Sequence, residues 1–269
     1  MAGEVEMSFW GHLDALRSVL LRIAVVLTAG VVACFCFIPD IFDSVVLAPC
    51  RSDFFLYRFL DSLGAVFPYL PRELDGPMEV ELINIRLASQ FFINISLSLW
   101  MAFLIAFPYI IYEVWRFISP ALYYNEQRSV RRVFIGGTAM FYLGCLLGYT
   151  VVFPLTLRFL YTFRISAEVT NQLSLDSYMD NFLMLIFMMG VVFELPLVAV
   201  LLSRLGILTR GFFTTYRRHA IVALLVLAAI ITPSSDPFTL MAVFIPVYLL
   251  WEMSALLVRP DRKSEAEPA

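Results

Sequence analysis

Long apolar runs separated by short polar stretches organise this chain, and one of them carries an acid. Phe182 to Ser203 reads FLMLIFMMGVVFELPLVAVLLS, apolar but for Glu194, with Pro196 two residues on. About 20 apolar residues at 1.5 Å each span a hydrocarbon core of about 30 Å, so this run is a membrane-crossing helix. Five further runs complete the pattern, and the spacing predicts helices at about 19–38, 87–112, 133–157, 181–203, 219–232 and 238–258. The first is stopped by Pro39-Asp40 and carries Arg22 near its start, placed to snorkel to the interface. The second includes Gln90, Asn94 and Pro108, and the third has Gly144 and Gly148 at the small-xxx-small spacing that lets helix backbones approach closely. The fifth run, Ala220 to Ile231, has 12 residues, about 18 Å of helix, too short to cross a normal bilayer unaided. The sixth is interrupted by Pro246 and Glu252.

The connections differ in kind. Residues 39–85 carry Pro49, Pro68, Pro71, Asp75-Gly76-Pro77 and the patch RSDFFLYRFLDSLG, which reads as short amphipathic helices on a membrane surface. Residues 113–132 and 204–218 are short basic loops, 158–180 is a longer loop, and Thr232 to Pro237 turns the chain between the last two runs. The predicted organisation is one six-helix membrane domain over 1–258 and a polar, disordered tail over 259–269.

Composition fits that reading. Of 269 residues, 61% are hydrophobic and 15% charged, with mean hydropathy +0.83, which excludes an ordinary soluble domain. Thirteen Lys and Arg fall on the side that holds both termini and six on the other, so the positive-inside rule puts both termini in the cytoplasm. The acidic, amphipathic start is unlike a basic cleavable signal peptide, and a net charge of −3 argues against a nucleic-acid partner. Three of the four cysteines lie in apolar runs, so no disulfide framework is readable.

The side chains that could carry chemistry are few. His12 and His219 lie at helix ends with no metal-ligand spacing, no Gly-rich phosphate loop exists, and no serine has a plausible base inside the membrane. The chain therefore reads as no enzyme, with no cofactor and no metal. What remains is a set of acids: Glu113 and Glu126 flanking an aromatic loop, Glu194 in the fourth run, Asp236 in the turn and Glu252 in the sixth run. Glu194 is either a functional intramembrane polar site or polar glue between helices. Glu113 and Glu126 read equally as solvated loop charges, and Asp236 as an N-cap opening the sixth helix.

Five separated motifs then carry a resemblance. His12-Leu13 with Leu16-Arg17, Phe117-Ile118-Ser119-Pro120-Ala121-Leu122-Tyr123 followed by Glu126, Phe141-Tyr142 with Gly144 and Val152-Phe153-Pro154-Leu155, Phe193-Glu194-Leu195-Pro196, and Thr232-Pro233 with Asp236 stand in the order in which they occur in TatC, the C subunit of the twin-arginine protein translocase. The chain resembles that family from about residue 9 to 255.

The resemblance implies a cupped six-helix bundle in the bacterial inner membrane, with short fifth and sixth helices. It also implies a receptor for the twin-arginine signal peptides of folded precursors, working with single-span TatA/TatB-type subunits and the proton-motive force, as a homo-oligomer within a larger complex in contact with membrane lipid. It carries signal-peptide binding to Glu126, Phe117, Pro120, Arg17 and Asp14, and makes Glu194, Pro49, Asp236 and Glu113 further functional candidates. The family's N-terminal acid falls on Ala15, with Asp14 beside it, about 100° away around the helix. A proton-coupled small-molecule transporter using Glu194 is the alternative, although no internal repeat supports it.

Overall fold

The computed structural model describes residues 9–64, 80–118, 124–163, 166, 168, 171–204, 206–232 and 236–258, without the side chains of residues 9, 12, 60–64 and 124–133. The predicted tail, 259–269, lies outside the described residues.

Ten α-helices carry almost everything that is described: α1 Phe9–Ile41, α2 Phe55–Gly64, α3 Ser89–Ile118, α4 Tyr124–Leu147, α5 Phe153–Thr162, α6 Leu175–Val192, α7 Leu195–Arg204, α8 Arg210–Thr215, α9 Arg217–Ile231 and α10 Pro237–Leu257. Among the described residues, five helical stretches are long and apolar enough to cross a membrane, including Ser89–Ile118, Phe134–Thr162, Leu175–Arg204 and Pro237–Leu257. The chain is an all-α polytopic membrane protein. α9 has 15 residues, about 22 Å, which makes the fifth crossing short as its sequence predicts, whereas α10 has 21 residues, about 31 Å.

The helices extend past the apolar runs. α3 continues to Ile118 and α4 begins at Tyr124, so most of the basic stretch expected as a loop over 113–132 is helical. Hydropathy marks where a helix is in lipid and says nothing of the polar turns that project beyond it. Leu175 likewise opens α6 inside the expected 158–180 loop, with Ser174 Oγ accepting from the Ser177 amide as its N-cap.

Prolines shape two of the crossings. Pro196 has no N–H to give the Val192 carbonyl and its ring crowds that oxygen, and the fourth run breaks at Phe193-Glu194 into α6 and α7. Pro154 likewise leaves the Thr150 carbonyl without its helical donor, and the third crossing widens into a π-turn over Gly148–Val152 before α5.

On the face opposite the chain's start, the connections form a packed cap. A 3₁₀ turn, Ala48–Cys50, places Pro49 in the core, where its carbonyl accepts the Tyr57 hydroxyl at 2.9 Å. The Tyr178 hydroxyl donates to the Val46 carbonyl. Arg158, expected in a loop, lies in α5 with 2% exposure and its guanidinium 5.1 Å from the Tyr57 ring centre. A two-residue parallel pair joins the two long connections, Leu82 opposite Leu173 and Ile83 opposite Ser174, and the Ser89 hydroxyl donates to Asp176 at 2.8 Å. Paired strands this short leave no periodicity in a sequence.

The centre of the bundle is a seam between α4 and α6 with glycine on both sides. A Cβ on Gly144 would lie 2.6 Å from the Met189 carbonyl oxygen, one on Gly148 3.0 Å from the Ile186 Cα, and one on Gly190 2.5 Å from Cys145 Sγ. The spacing read from the sequence therefore does bring two backbones together. Gly136, by contrast, faces open space. Gly144→Val should cost about 1–3 kcal/mol by overpacking and lower the thermal unfolding midpoint in detergent, while Gly136→Ala leaves it in place. Equal midpoints for the two variants would contradict the seam.

Candidate functional site

The end of the bundle where α1 begins gathers most of the candidate residues. α1 is 33 residues long, about 50 Å, and among its described side chains only Val19, Cys34 and Ile38 are buried. Its partner is α3, which runs antiparallel to it. Gly30 lies against Ala102, where a Cβ would come within 3.1 Å of the alanine's own, and the Asn94 amide reaches the Phe35 carbonyl at 3.5 Å.

Nearer the N-terminus the two helices are joined by charge. Arg22 donates Nη2 and Nε to Glu113 Oε2 at 2.8 and 3.1 Å and Nη1 to the Ser18 hydroxyl at 2.8 Å; the Tyr109 hydroxyl donates to Glu113 Oε1 at 3.0 Å. The Glu113 side chain is 2% exposed and that of Arg22 39%. Both differ from expectation. Glu113 is a buried residue of α3 instead of a loop acid, and Arg22 points across to it instead of snorkelling to the surface. The physical reason is shared: each is an ionic group on a lipid-crossing helix, and pairing removes the cost that either would incur alone.

This contact fixes which side of α1 faces the bundle. Ala15 is two turns before Arg22 and on the same side of the helix, and Ala15 is half-buried and Val19 buried. Asp14 and Arg17 are exposed. Asp14 therefore does not share the direction of the position at which the family's acid would stand.

Phe117 lies in the last turn of α3, and Glu126 falls in the first turn of α4, not in a loop. Pro120 lies outside the described residues. Trp115 and Phe134, with ring centres 5.2 Å apart, hold the end of α3 against α4. Asp14, Ala15 and Arg17 on α1 and Phe117 and Glu126 at the α3–α4 junction thus belong to one end of the bundle.

Glu194 sits elsewhere, at the break between α6 and α7. Both of its carboxyl oxygens are buried and neither has a hydrogen-bond partner among the described residues. The space it enters is left by Gly137, where a Cβ would lie 2.9 Å from Glu194 Oε2 and 2.3 Å from Leu197 Cδ1. No donor among the described residues holds this acid.

The remaining candidates have structural partners. Pro49 belongs to the cap on the opposite face. Asp236 caps α10, its Oδ1 accepting from the Thr239 amide at 2.7 Å. Glu252 pairs with Arg217 at 2.8 Å and accepts the Tyr248 hydroxyl at 2.9 Å, tying the start of α9 to the end of α10. Glu113 and Glu252 therefore use one arrangement, a tyrosine four residues earlier on the same helix and an arginine from the neighbouring one. Tyr109-x-x-x-Glu113 and Tyr248-x-x-x-Glu252 were the available signal, since an intramembrane acid with an i−4 hydroxyl asks for a cation across the interface. Among the described residues no group of three His, Cys, Asp or Glu could hold a metal ion.

Comparison with known proteins gives these positions a family. The family model described as Sec-independent protein translocase protein (TatC) matches residues 11–246. The TatC of Blattabacterium sp. subsp. Periplaneta americana (strain BPLAN) is 33% identical over 250 residues, covering 93% of this chain and 94% of that one. The TatC of Aquifex aeolicus (strain VF5) is 39% identical over 190 residues, 70% of this chain and 78% of its own. A crystal structure of the twin-arginine translocase receptor TatC in DDM superposes with a TM-score of 0.73 at 32% identity, over 92% of this chain and 99% of the other, and a second superposes at 0.68. With the broken fourth crossing and the short fifth inside the matched region, the chain belongs to the TatC family of Sec-independent protein translocase proteins.

Proposed function

We propose that this chain is the signal-peptide receptor of a twin-arginine translocase in a bacterial inner membrane, with both termini in the cytoplasm. Single-span partners of the TatA/TatB type join it for transport driven by the proton-motive force, and several copies work within the larger complex. The observation that carries this reading is the gathering of Asp14, Ala15 and Arg17 on α1 with Phe117 and Glu126 at the α3–α4 junction, at the basic end of a TatC-family bundle. The membrane domain is taken as residues 1–258, and the proton-coupled transporter alternative is not favoured by the family relationship.

Recognition needs more than one exposed ion pair, which contributes only about 0.2 to 1 kcal/mol. Glu126 takes one guanidinium of the peptide's arginine pair in a sheltered, forked contact, and backbone groups or aromatic side chains near Phe117 hold the second. Asp14 is exposed and about 100° away from the family position occupied by Ala15, so it contributes field more than contact. Glu126→Lys therefore abolishes binding of a twin-arginine peptide, and a peptide with Lys in place of Arg binds more weakly to the unaltered protein. Ala15→Glu tightens binding by supplying the second carboxylate. Affinities measured by peptide titration decide this, and an unchanged affinity in Glu126→Lys would remove that acid from the site.

Glu194 is the intramembrane acid of the transport step. Its oxygens are buried without a donor among the described residues, so removing the carboxyl relieves a desolvation cost. Glu194→Ala should fold at least as stably as the parent protein and transport poorly, and Glu194→Gln separates charge from hydrogen bonding. Transport at the parental rate by Glu194→Ala, measured in vesicles with the partner subunits, would leave the acid only a packing role.

The short α9 thins the local membrane barrier. Adding about one turn of leucine to α9, roughly 5 Å, should reduce transport without preventing membrane insertion. A lengthened variant that transports normally would make the short crossing incidental.

A further inference from the structure

α1 carries the N-terminal part of the proposed recognition site and packs on the bundle almost wholly through one neighbour, α3. Outside Val19, Cys34 and Ile38 its described side chains are exposed or only half-buried, so most of the helix meets lipid. In lipid there is no hydrophobic driving force between helices, so close packing and interhelical hydrogen bonds decide how a helix is seated. One residue of slip turns the helix by about 100° and exchanges the directions of Asp14 and Ala15.

Against that background Arg22, Glu113 and Tyr109 form a directional contact close to the site. Glu113 lies five residues before the described end of α3 at Ile118, about 7.5 Å along the axis. Arg22 lies two turns from Ala15 on the same side of α1. Four hydrogen bonds converge on the pair, and Glu113, being buried, has no solvent to replace them. A rotation of α1 large enough to exchange Asp14 and Ala15 would withdraw the guanidinium and strand a buried carboxylate.

We propose that Arg22 and Glu113 are positioning residues for signal-peptide recognition: they lock the rotation and height of α1 against α3, and so set which α1 side chains face the twin-arginine peptide. The pair itself does not touch the peptide. This inference rests on the receptor reading given above. The Arg217–Glu252 pair supplies an internal control, because it has the same chemistry and the same tyrosine support but joins α9 to α10 and does not hold α1.

The test uses the full chain in lipid nanodiscs, a fluorescent twin-arginine signal peptide, and thermal unfolding of each variant. Arg22→Ala and Glu113→Gln each weaken binding by about tenfold or more, the charge swap Arg22→Glu with Glu113→Arg restores it to within about threefold, and Arg217→Ala leaves it unchanged. Where Arg22→Ala fails to fold, Arg22→Lys replaces it and weakens binding less, because an ammonium keeps the charge and loses the paired N–H donors. Unchanged binding in the folded single variants overturns the proposal. So does a charge swap that folds yet binds as poorly as the single variants, since Glu113 would then meet the peptide directly.

A second readout does not depend on the peptide. Spin labels at Leu16→Cys and Ile118→Cys, with the four native cysteines replaced by alanine, report the separation of the two helix ends. The distance distribution is narrow in the parent and broad in Arg22→Ala, and a distribution that stays narrow overturns the locking role. Failure of the unaltered protein to prefer the twin-arginine peptide over its lysine counterpart would count against the receptor reading alone, because the spin-label result stands without it.

Discussion

Lipid tails are as apolar as leucine, so a helical bundle in a bilayer has to be held by something other than burial of apolar surface. Here that is close backbone approach along the α4–α6 seam. Gly144 and Gly148 on one side and Gly190 on the other let atoms meet at distances that any side chain would forbid. Dispersion between close-packed backbones grows with the number of near contacts, and the seam places it at the middle of the chain, where both flanking helix pairs dock. α3 packs its aromatic face on this seam, Phe107 stacked on Phe141 at 3.6 Å, and α10 packs on the opposite flank through α7. α1 is then attached through α3, and α9 through α10.

The two outer attachments share a chemistry because they share a problem. α1 packs almost wholly on α3 and α9 is short, so a directional contact adds to the seating of each. Each is joined to its neighbour by an arginine on the outer helix and a glutamate on the inner one, with a tyrosine one turn before the acid. The hydroxyl satisfies the carboxylate oxygen that the arginine leaves open, which matters where water is scarce. On the opposite face tyrosine hydroxyls on turn carbonyls and Arg158 over Tyr57 serve the same need.

Much of this is written openly in the chain. The membrane crossings follow from apolar run length, the short α9 from its 12-residue run, the α4–α6 approach from the glycine spacing and the α10 cap from Asp236 next to Pro237. The helix ends are less legible because polar turns beyond the lipid, such as Tyr124 to Arg132, look like loop in a hydropathy pattern. The break after Val192 is implicit in Pro196, but only the three-dimensional structure gives its location as a turn at Phe193-Glu194. The ion pairs are harder still. Arg22 and Glu113 are 91 residues apart, and each has a local explanation, interface snorkelling or loop solvation, that is satisfactory until the two helices are seen side by side. The strand pair and the buried Arg158 arise from tertiary packing that no local pattern encodes.

The partnered acids also sharpen the meaning of the unpartnered one. Glu113, Asp176, Asp236 and Glu252 each have at least one donor within hydrogen-bond distance, and three of them tie one element to another. The bundle therefore has the means to satisfy a carboxylate and uses them at these four. Glu194 departs from that rule at the point where the fourth crossing loses its helical hydrogen bonding and where Gly137 removes the side chain that would otherwise fill the space. A buried acid without a donor destabilises the folded state by roughly 1–3 kcal/mol or more relative to an apolar replacement. Such a penalty fits the transport role proposed for Glu194, because a group that changes its hydration or its partner during a cycle is better left without a permanent one.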